Sequence, residues 1–350
     1  MMKEYLISGC LTLLASQLVL GQQETTYAEK LGYPSGAKVV IFHVDDAGMS
    51  YESNEGTVRS IQSGVATSCS IMMPCPWAAS FVKVALQEPM DAGIHLTLTS
   101  EWKDYRWHPL SGKDAVSGLV DGEGAFWPSV EEVVRNASPD EVEIELRAQV
   151  DRAVEMGLRP THMDSHMGTL FYHPPFLERY IKVGVDYGIP VMFPGGNNKL
   201  LRLSMNDNLV KQLKKEGSYR EGMELPGNPL LEQAPEVGAQ IWAAGLPVLD
   251  DLHTVSGNWR PDGAVEDTEW GKYKVAQFKE VLSQMEPGLA MIIVHSNGDR
   301  KVFDRISSSG GSRYADMLAM TDPELRRYIE AEGIILTTWR EVMDRRKKVR

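Results

Sequence analysis

The fold that this sequence predicts is an α/β chain with mostly parallel strands wound into a closed or nearly closed (β/α) barrel, and three observations predict it. Seven or eight short apolar runs alternate with longer helix-compatible segments between residues 39 and 337, the alternation that a parallel sheet with crossover helices produces. The series fills about 300 residues, which suits a barrel better than an open doubly wound sheet. Asp45-Asp46, His95, His166 and His295 each fall at or near the end of an apolar run, where such barrels carry their chemistry.

The elements follow in order. A strand over residues 39–44 leads to a helix over 51–62 and a second strand over 67–73; a helix over 76–86 leads to a third strand over 93–98. Residues 100–138, rich in Gly, Trp and Pro, form a long irregular stretch of the kind that is functional when it interrupts a compact domain. It ends in the helix-start signal Ser138-Pro139-Asp140. Val142, Leu146, Val150 and Ala153 then recur at helical spacing, and Gly157 closes the segment. In the next expected strand, Thr161 to His166, the residues His162, Asp164 and His166 share one face and Met163 and Ser165 the other. A helix over 175–187, a strand over 189–193, a helix over 206–215 and a second Gly/Pro-rich loop before Gly245 come next. Strands over 247–252, 290–294 and 334–337, with helices over 269–285 and 314–332, complete the series. No repeat or linker divides it, so residues 22–350 read as a single domain.

Composition sets the outer limits. At 350 residues, 43% hydrophobic and 24% charged, the chain is globular rather than disordered. A net charge of −12 excludes nucleic acid as the expected partner. The one basic run, Arg345-Arg346-Lys347-Lys348-Val349-Arg350, reads as a solvated helix end whose cations suit the negative end of the helix dipole. At the other terminus, Lys3, an apolar run over residues 5–20 and a cut before Gln22 read as an export signal over 1–21, hence a periplasmic or secreted protein. Ile7-Ser8-Gly9-Cys10 formally fits a lipobox, but Cys10 precedes most of the apolar run, so a lipoprotein is the lesser reading. The run is shorter than the ~20 residues of a membrane span. Cys69 and Cys75 remain; they read as buried thiols, with a disulfide as the alternative in an oxidising compartment.

Carboxylate and imidazole converging from separate strands are what a divalent-metal site needs. Two adjacent aspartates cannot both point inward from a regular strand, so Asp45 and Asp46 are expected where the first strand gives way to the turn Ala47-Gly48. An Asp-Asp pair by itself reads first as a turn or a helix cap. His43 and His162 share strand parity with the inward residues but sit deeper, where hydrogen bonding in the core or behind the metal is expected of them.

Val44-Asp45-Asp46-Ala47-Gly48, Gly93-Ile94-His95-Leu96-Thr97-Leu98-Thr99 and Thr161-His162-Met163-Asp164-Ser165-His166 together resemble the YdjC-like carbohydrate deacetylases, the group that includes chitooligosaccharide deacetylase. The resemblance spans residues 39–338. It implies a distorted (β/α) barrel with seven or eight mostly parallel strands, one divalent metal ion (Zn or Mg) and hydrolysis of N-acetyl groups on amino sugars. By motif position it implies Asp46, His95 and His166 as metal ligands, Asp45 as general base, and a catalytic role for His295 in Val294-His295-Ser296-Asn297. Three positions depart from the family pattern: Ala47 stands where Phe is usual, Met167-Gly168-Thr169-Leu170 replaces a His-rich run, and Ser296 replaces a proline. None removes a ligand, but all flank the site and so bear on which sugar it takes.

Amide hydrolysis needs an activated water, a stabilised oxyanion and a proton for the leaving amine, and a divalent ion held by one carboxylate and two imidazoles keeps positions open for the first two. Around that site, Asp164 either orients a ligand histidine or replaces Asp46. Asp250, Asp251 and His253 either reach the substrate or cap, and Trp102, Trp107 and Trp127 either stack on sugar rings or pin the long loop. The expected function is a secreted metal-dependent hydrolase acting on an N-acetylated amino sugar or oligosaccharide. The alternative is a non-catalytic glycan-binding protein on the same scaffold. Metal-dependent phosphoester hydrolysis would call for more carboxylate ligands and a basic phosphate clamp, neither of which is evident. Nothing in the sequence specifies an oligomeric state.

Overall fold

Among the described residues, seven parallel strands make one sheet: β1 (Lys38–Ala47), β2 (Ser68–Ile71), β3 (Ala92–Leu96), β4 (Met163–Ser165), β5 (Asp251–His253), β6 (Gly288–His295) and β7 (Ile335–Leu336). The computed structural model describes residues 25–349, so the export-signal and lipobox readings on residues 1–21 lie outside the described residues. The strand order is β4-β3-β2-β1-β6-β5. Isolated parallel bridges, Met163 to Val191 and Pro194 to Leu249, join the two outer strands through the segment between them. These bridges are all that forms of the strand expected over 189–193. Pro190 and Pro194 lack the N–H groups that a regular ladder requires. β7 pairs with Val39 and Val40 at the start of β1, whereas β2 pairs with β1 only from His43 onward. β7 therefore wedges the barrel open at the N-terminal ends of the strands, and the barrel is distorted.

Alternation along β1 separates two apolar clusters. Val40, Phe42 and Val44 join the large cluster under the helices, while Val39 and Ile41 join a smaller one with Leu289, Met291 and Ile293 of β6. The smaller cluster fills the lower barrel interior. By the same period of two, His43 and Asp45 continue its face upward, so the interior turns from apolar to polar as it approaches the C-terminal ends of the strands.

The helix Tyr51–Gln62 falls where periodicity puts it, with Ser50 accepting from the Ser53 N–H. The helix Pro139–Glu155 begins on a capping box between Ser138 and Glu141. The single helix expected over 314–332 is two, Gly310–Met320 and Pro323–Ala331. Asp322 caps the second by accepting from Glu324, and Pro323, with no N–H, suits its first turn but cannot continue the first helix. The helix expected over 206–215 begins earlier and spans Lys199–Lys215, and the loop expected after it contains the helix Pro229–Ala243, started by Asn228. The stretch 100–138 is largely irregular, as expected, but holds the helix Val130–Asn136. The C-terminal basic run ends the helix Trp339–Arg346. Arg346 is not solvated: it is buried, and its guanidinium lies 4.1 Å from the Trp242 ring and donates to Trp242 O at 2.6 Å. Cys69 and Cys75 are free, buried thiols. Among the described residues no helix is long and apolar enough to cross a membrane.

Candidate metal centre

β1 does not end before its aspartates. It runs through Ala47, and its register against β2 steps from Val44 opposite Cys69 to Ala47 opposite Ile71, three residues against two. This bulge is made at Asp46, which adopts φ 64°. Aspartate tolerates the left-handed region better than most side chains. Asp45 faces the interior by strand alternation, and the bulge turns Asp46 to the same side, so a bulge does what the sequence assigned to a turn. Gly48, at φ +85°, follows; a Cβ there would stand 2.8 Å from Ala78 Cα. β4 is also shorter than the strand expected from Thr161 to His166. His166 opens a 3₁₀ turn containing two left-handed residues, Met167 and Gly168, and it reaches the interior from that turn.

Asp46, His95 and His166 converge. His166 Nδ1 lies 3.2 Å from His95 Nε2, and each nitrogen lies 3.3 Å from Asp46 Oδ1. Donor atoms about 2.1 Å from a common ion are separated by about 3.0 Å at octahedral angles and about 3.4 Å at tetrahedral ones. The triangle falls between those values. Asp46 Oδ1 accepts no hydrogen bond among the described residues, although it is buried, so its lone pairs are free for an ion. By these tests the three residues fit a divalent metal.

Each imidazole has a carboxylate at its far nitrogen. His95 Nδ1 contacts Asp164 Oδ1 at 2.7 Å, and His166 Nε2 lies 3.2 Å from both oxygens of Glu101. Such partners fix the tautomer and raise the basicity of a metal-binding imidazole. Asp164 thus stands at the His95 nitrogen away from the triangle, where a partner that orients the ring would stand. Asp46 Oδ2 accepts from Arg313 Nη1 at 2.6 Å. Burial opposes the charge of Asp46, but Arg313 and the two histidines hold its carboxyl well below the usual carboxylate range. His43 Nε2 lies 2.9 Å from Asp164 Oδ2, 3.2 Å from Asp45 Oδ1 and 3.0 Å from Ser70 Oγ. Burial likewise opposes protonation of His43, yet Asp164 and Asp45 prevail and push its pKa up to about 9. His162, also fully buried, is different. Burial and the neighbouring His43 lower its pKa well below the ordinary value, and it stacks at 5.1 Å on Trp339.

His295 reaches the same rim, its Nε2 4.0 Å from Asp45 Oδ2 and 3.9 Å from Asp46 Oδ2. Burial and Arg313 lower its pKa. Of the other candidates, Trp107 borders the site, its ring edge-on to that of His166 with centroids 6.3 Å apart. Asp250 accepts from the N–H groups of Tyr27, Ala28 and Leu289, and Asp251 from those of Leu200, Leu201 and Leu252, so both cap. His253 packs 5.1 Å from Trp259. Trp107 is buried and donates to Thr99 O, and Trp127 donates to Gly118 O, so both pin the long loop. Trp102 packs on Trp107 and Phe303 with Arg313 over its ring.

Glu101 and Arg313 were missed at the level of sequence. Glu101 carried no strand signal, since β3 ends at Leu96 and Glu101 follows in the irregular stretch. Arg313 comes from a helix far along the chain, and no local pattern marks it.

A sequence model of the YdjC-like protein family matches residues 39–331. The chain belongs to the YdjC-like family. A carbohydrate deacetylase of Thermus thermophilus is 30% identical over 316 residues, covering 90% of this chain and 97% of that protein. A carbohydrate deacetylase of Thermoanaerobacter pseudethanolicus is 29% identical over 223 residues, covering 63% of this chain and 85% of the relative. Among solved structures, a protein of Enterococcus faecalis V583, described provisionally as a cellobiose-phosphate cleavage protein, superposes with a TM-score of 0.65 at 20% identity, covering 87% of this chain and 98% of that one. At that identity the likeness is one of fold. It places this YdjC-like chain on a barrel architecture already seen in a crystal.

Proposed function

We propose that this protein is a metal-dependent carbohydrate deacetylase that removes N-acetyl groups from an amino sugar or oligosaccharide. The observation that carries the proposal is the triangle of Asp46 Oδ1, His95 Nε2 and His166 Nδ1, with sides of 3.2 to 3.3 Å, in a chain of the YdjC-like family. The full-length similarity to a carbohydrate deacetylase supports the same reading. These three atoms would hold the ion, and two imidazoles in the donor set favour zinc over magnesium. A divalent ion bound there would polarise the acetyl carbonyl and lower the pKa of a bound water.

The chain's own groups supply the rest. Asp45 turns Oδ2 toward the rim, 3.8 Å from His95 Nε2, and is the group we assign to accept the water's proton. His295, about a quarter exposed and opposite Asp45, is assigned to protonate the leaving amine from its imidazolium form, which the lowered pKa makes the minor form but the stronger acid. Arg313 holds Asp46 in place through Oδ2 and leaves Oδ1 free. We further propose, from residues 1–21 alone, that the enzyme is exported; cell fractionation of the natural host tests this, and a wholly cytoplasmic protein would refute it.

Acetate release from N-acetylated chito-oligosaccharides by the zinc-loaded protein tests the main proposal. Release at a rate proportional to enzyme supports it. Saturable binding of the same sugars without any acetate would favour the alternative of a non-catalytic glycan-binding protein.

A further inference from the structure

Val39, Ile41, His43 and Asp45 share the face of β1 that is turned into the barrel. His43 is the first polar group beneath Asp45 and has no exposed surface. Its Nε2 lies between two buried carboxylates, 3.2 Å from Asp45 Oδ1 and 2.9 Å from Asp164 Oδ2. The two oxygens of Asp45 have different surroundings. Oδ1 faces downward to His43, and no described group makes an aligned hydrogen bond to it. Oδ2 faces the rim, 3.8 Å from His95 Nε2 and 4.0 Å from His295 Nε2. The contact with His43 is thus the shortest ion-pair distance that Asp45 makes among the described residues.

A carboxylate turns easily about its last torsion, which has broad wells, so a buried one settles where its nearest cation draws it. We propose that His43 is a positioning residue for Asp45: it holds Oδ1 in the barrel interior and thereby keeps Oδ2 directed at the rim, where a proton is to be accepted. This rests on the deacetylase reading above. The competing role is purely structural, with His43 doing no more than neutralise buried charge.

A double-mutant cycle separates the two roles. kcat for acetate release is measured at saturating zinc in the wild type, His43→Ala, Asp45→Asn and the double variant, so that metal occupancy drops out. If His43 acts through Asp45, His43→Ala lowers kcat about tenfold or more in the wild-type chain but less than about twofold in the Asp45→Asn chain. KM changes little in either. Equal losses in both backgrounds overturn the proposal. The imidazole ¹⁵N spectrum gives a readout independent of turnover and of how well His43→Ala folds. Asp45→Asn must shift the His43 Nε2 resonance, and an unmoved resonance overturns the contact. A wild-type chain that releases no acetate sinks the deacetylase reading instead, and the spectrum alone then decides the contact.

Discussion

Asp164→Asn perturbs the metal centre from behind without removing a ligand. The carboxylate is wholly buried, and it contacts His95 Nδ1 at 2.7 Å and His43 Nε2 at 2.9 Å. Burial opposes its charge, but His95 and His43 hold its pKa below the ordinary value. Asparagine keeps the volume and one acceptor, so the contact with Nδ1 survives as a neutral hydrogen bond, about half as strong as a charge-assisted one. The imidazole becomes less basic, and the amide presents N–H toward His43. Loss of such a partner lowers metal affinity by about 10- to 100-fold, or about 1.4 to 2.7 kcal/mol. Full burial puts Asp164→Asn near the upper end. Glu101→Gln belongs near the lower end, because that carboxylate is 18% exposed and its two contacts with His166 are longer, at 3.2 Å. Competition between each metal-stripped variant and a chromogenic chelator measures both affinities. A Kd for Asp164→Asn within about threefold of the wild type, or a larger loss in Glu101→Gln, refutes the assignment of partners.

Asp45→Asn should keep the metal while kcat falls by about 10²-fold or more, whereas Asp46→Asn should lose metal; metal analysis beside kinetics distinguishes them, and the reverse pattern would exchange their roles. His295→Ala should retain the ion and lose most activity on an N-acetyl sugar, yet be much less impaired on an activated acetyl ester, whose leaving group departs without protonation. Equal impairment on both substrates would leave His295 without an acid role. Away from the site, burial raises the pKa of Asp251 to about 6 despite three backbone donors. The stability linked to this raised value is fully present below about pH 4 and is lost as pH rises through about 6. Asp251→Asn should therefore show a flatter unfolding free energy between those limits; an unchanged slope in denaturant titrations counts against it.

The parts of this protein that were legible in its sequence are those governed by local rules. The helix Tyr51–Gln62 matches its expected limits because Ser50 caps it and apolar spacing fills it. Ser138 and Glu141 likewise announce the helix that follows them. The expected site residues Asp45, Asp46, His95, His166 and His295 are all brought to one rim, since strand ends in a parallel barrel share that rim. What the sequence did not disclose depends on backbone exceptions and distant partners. The bulge at Asp46 has no signature beyond two adjacent aspartates, and the turn at His166 depends on a left-handed Met167, a conformation no pattern assigns to methionine. Arg313 meets Asp46 across 267 residues of chain. The missed helix Pro229–Ala243 had its start signals in Asn228 and Pro229, but Pro235 within it mimics a loop.

The central claim, that acetate release depends on an ion held by Asp46, His95 and His166, is tested most directly by reconstitution. The protein is stripped with a chelator and titrated with zinc while acetate release from an N-acetylated oligosaccharide is followed. Activity should be absent from the stripped protein, rise linearly, and saturate at one ion per chain, with His166→Ala remaining inactive throughout. Full activity in the stripped protein, or in His166→Ala, would contradict the account.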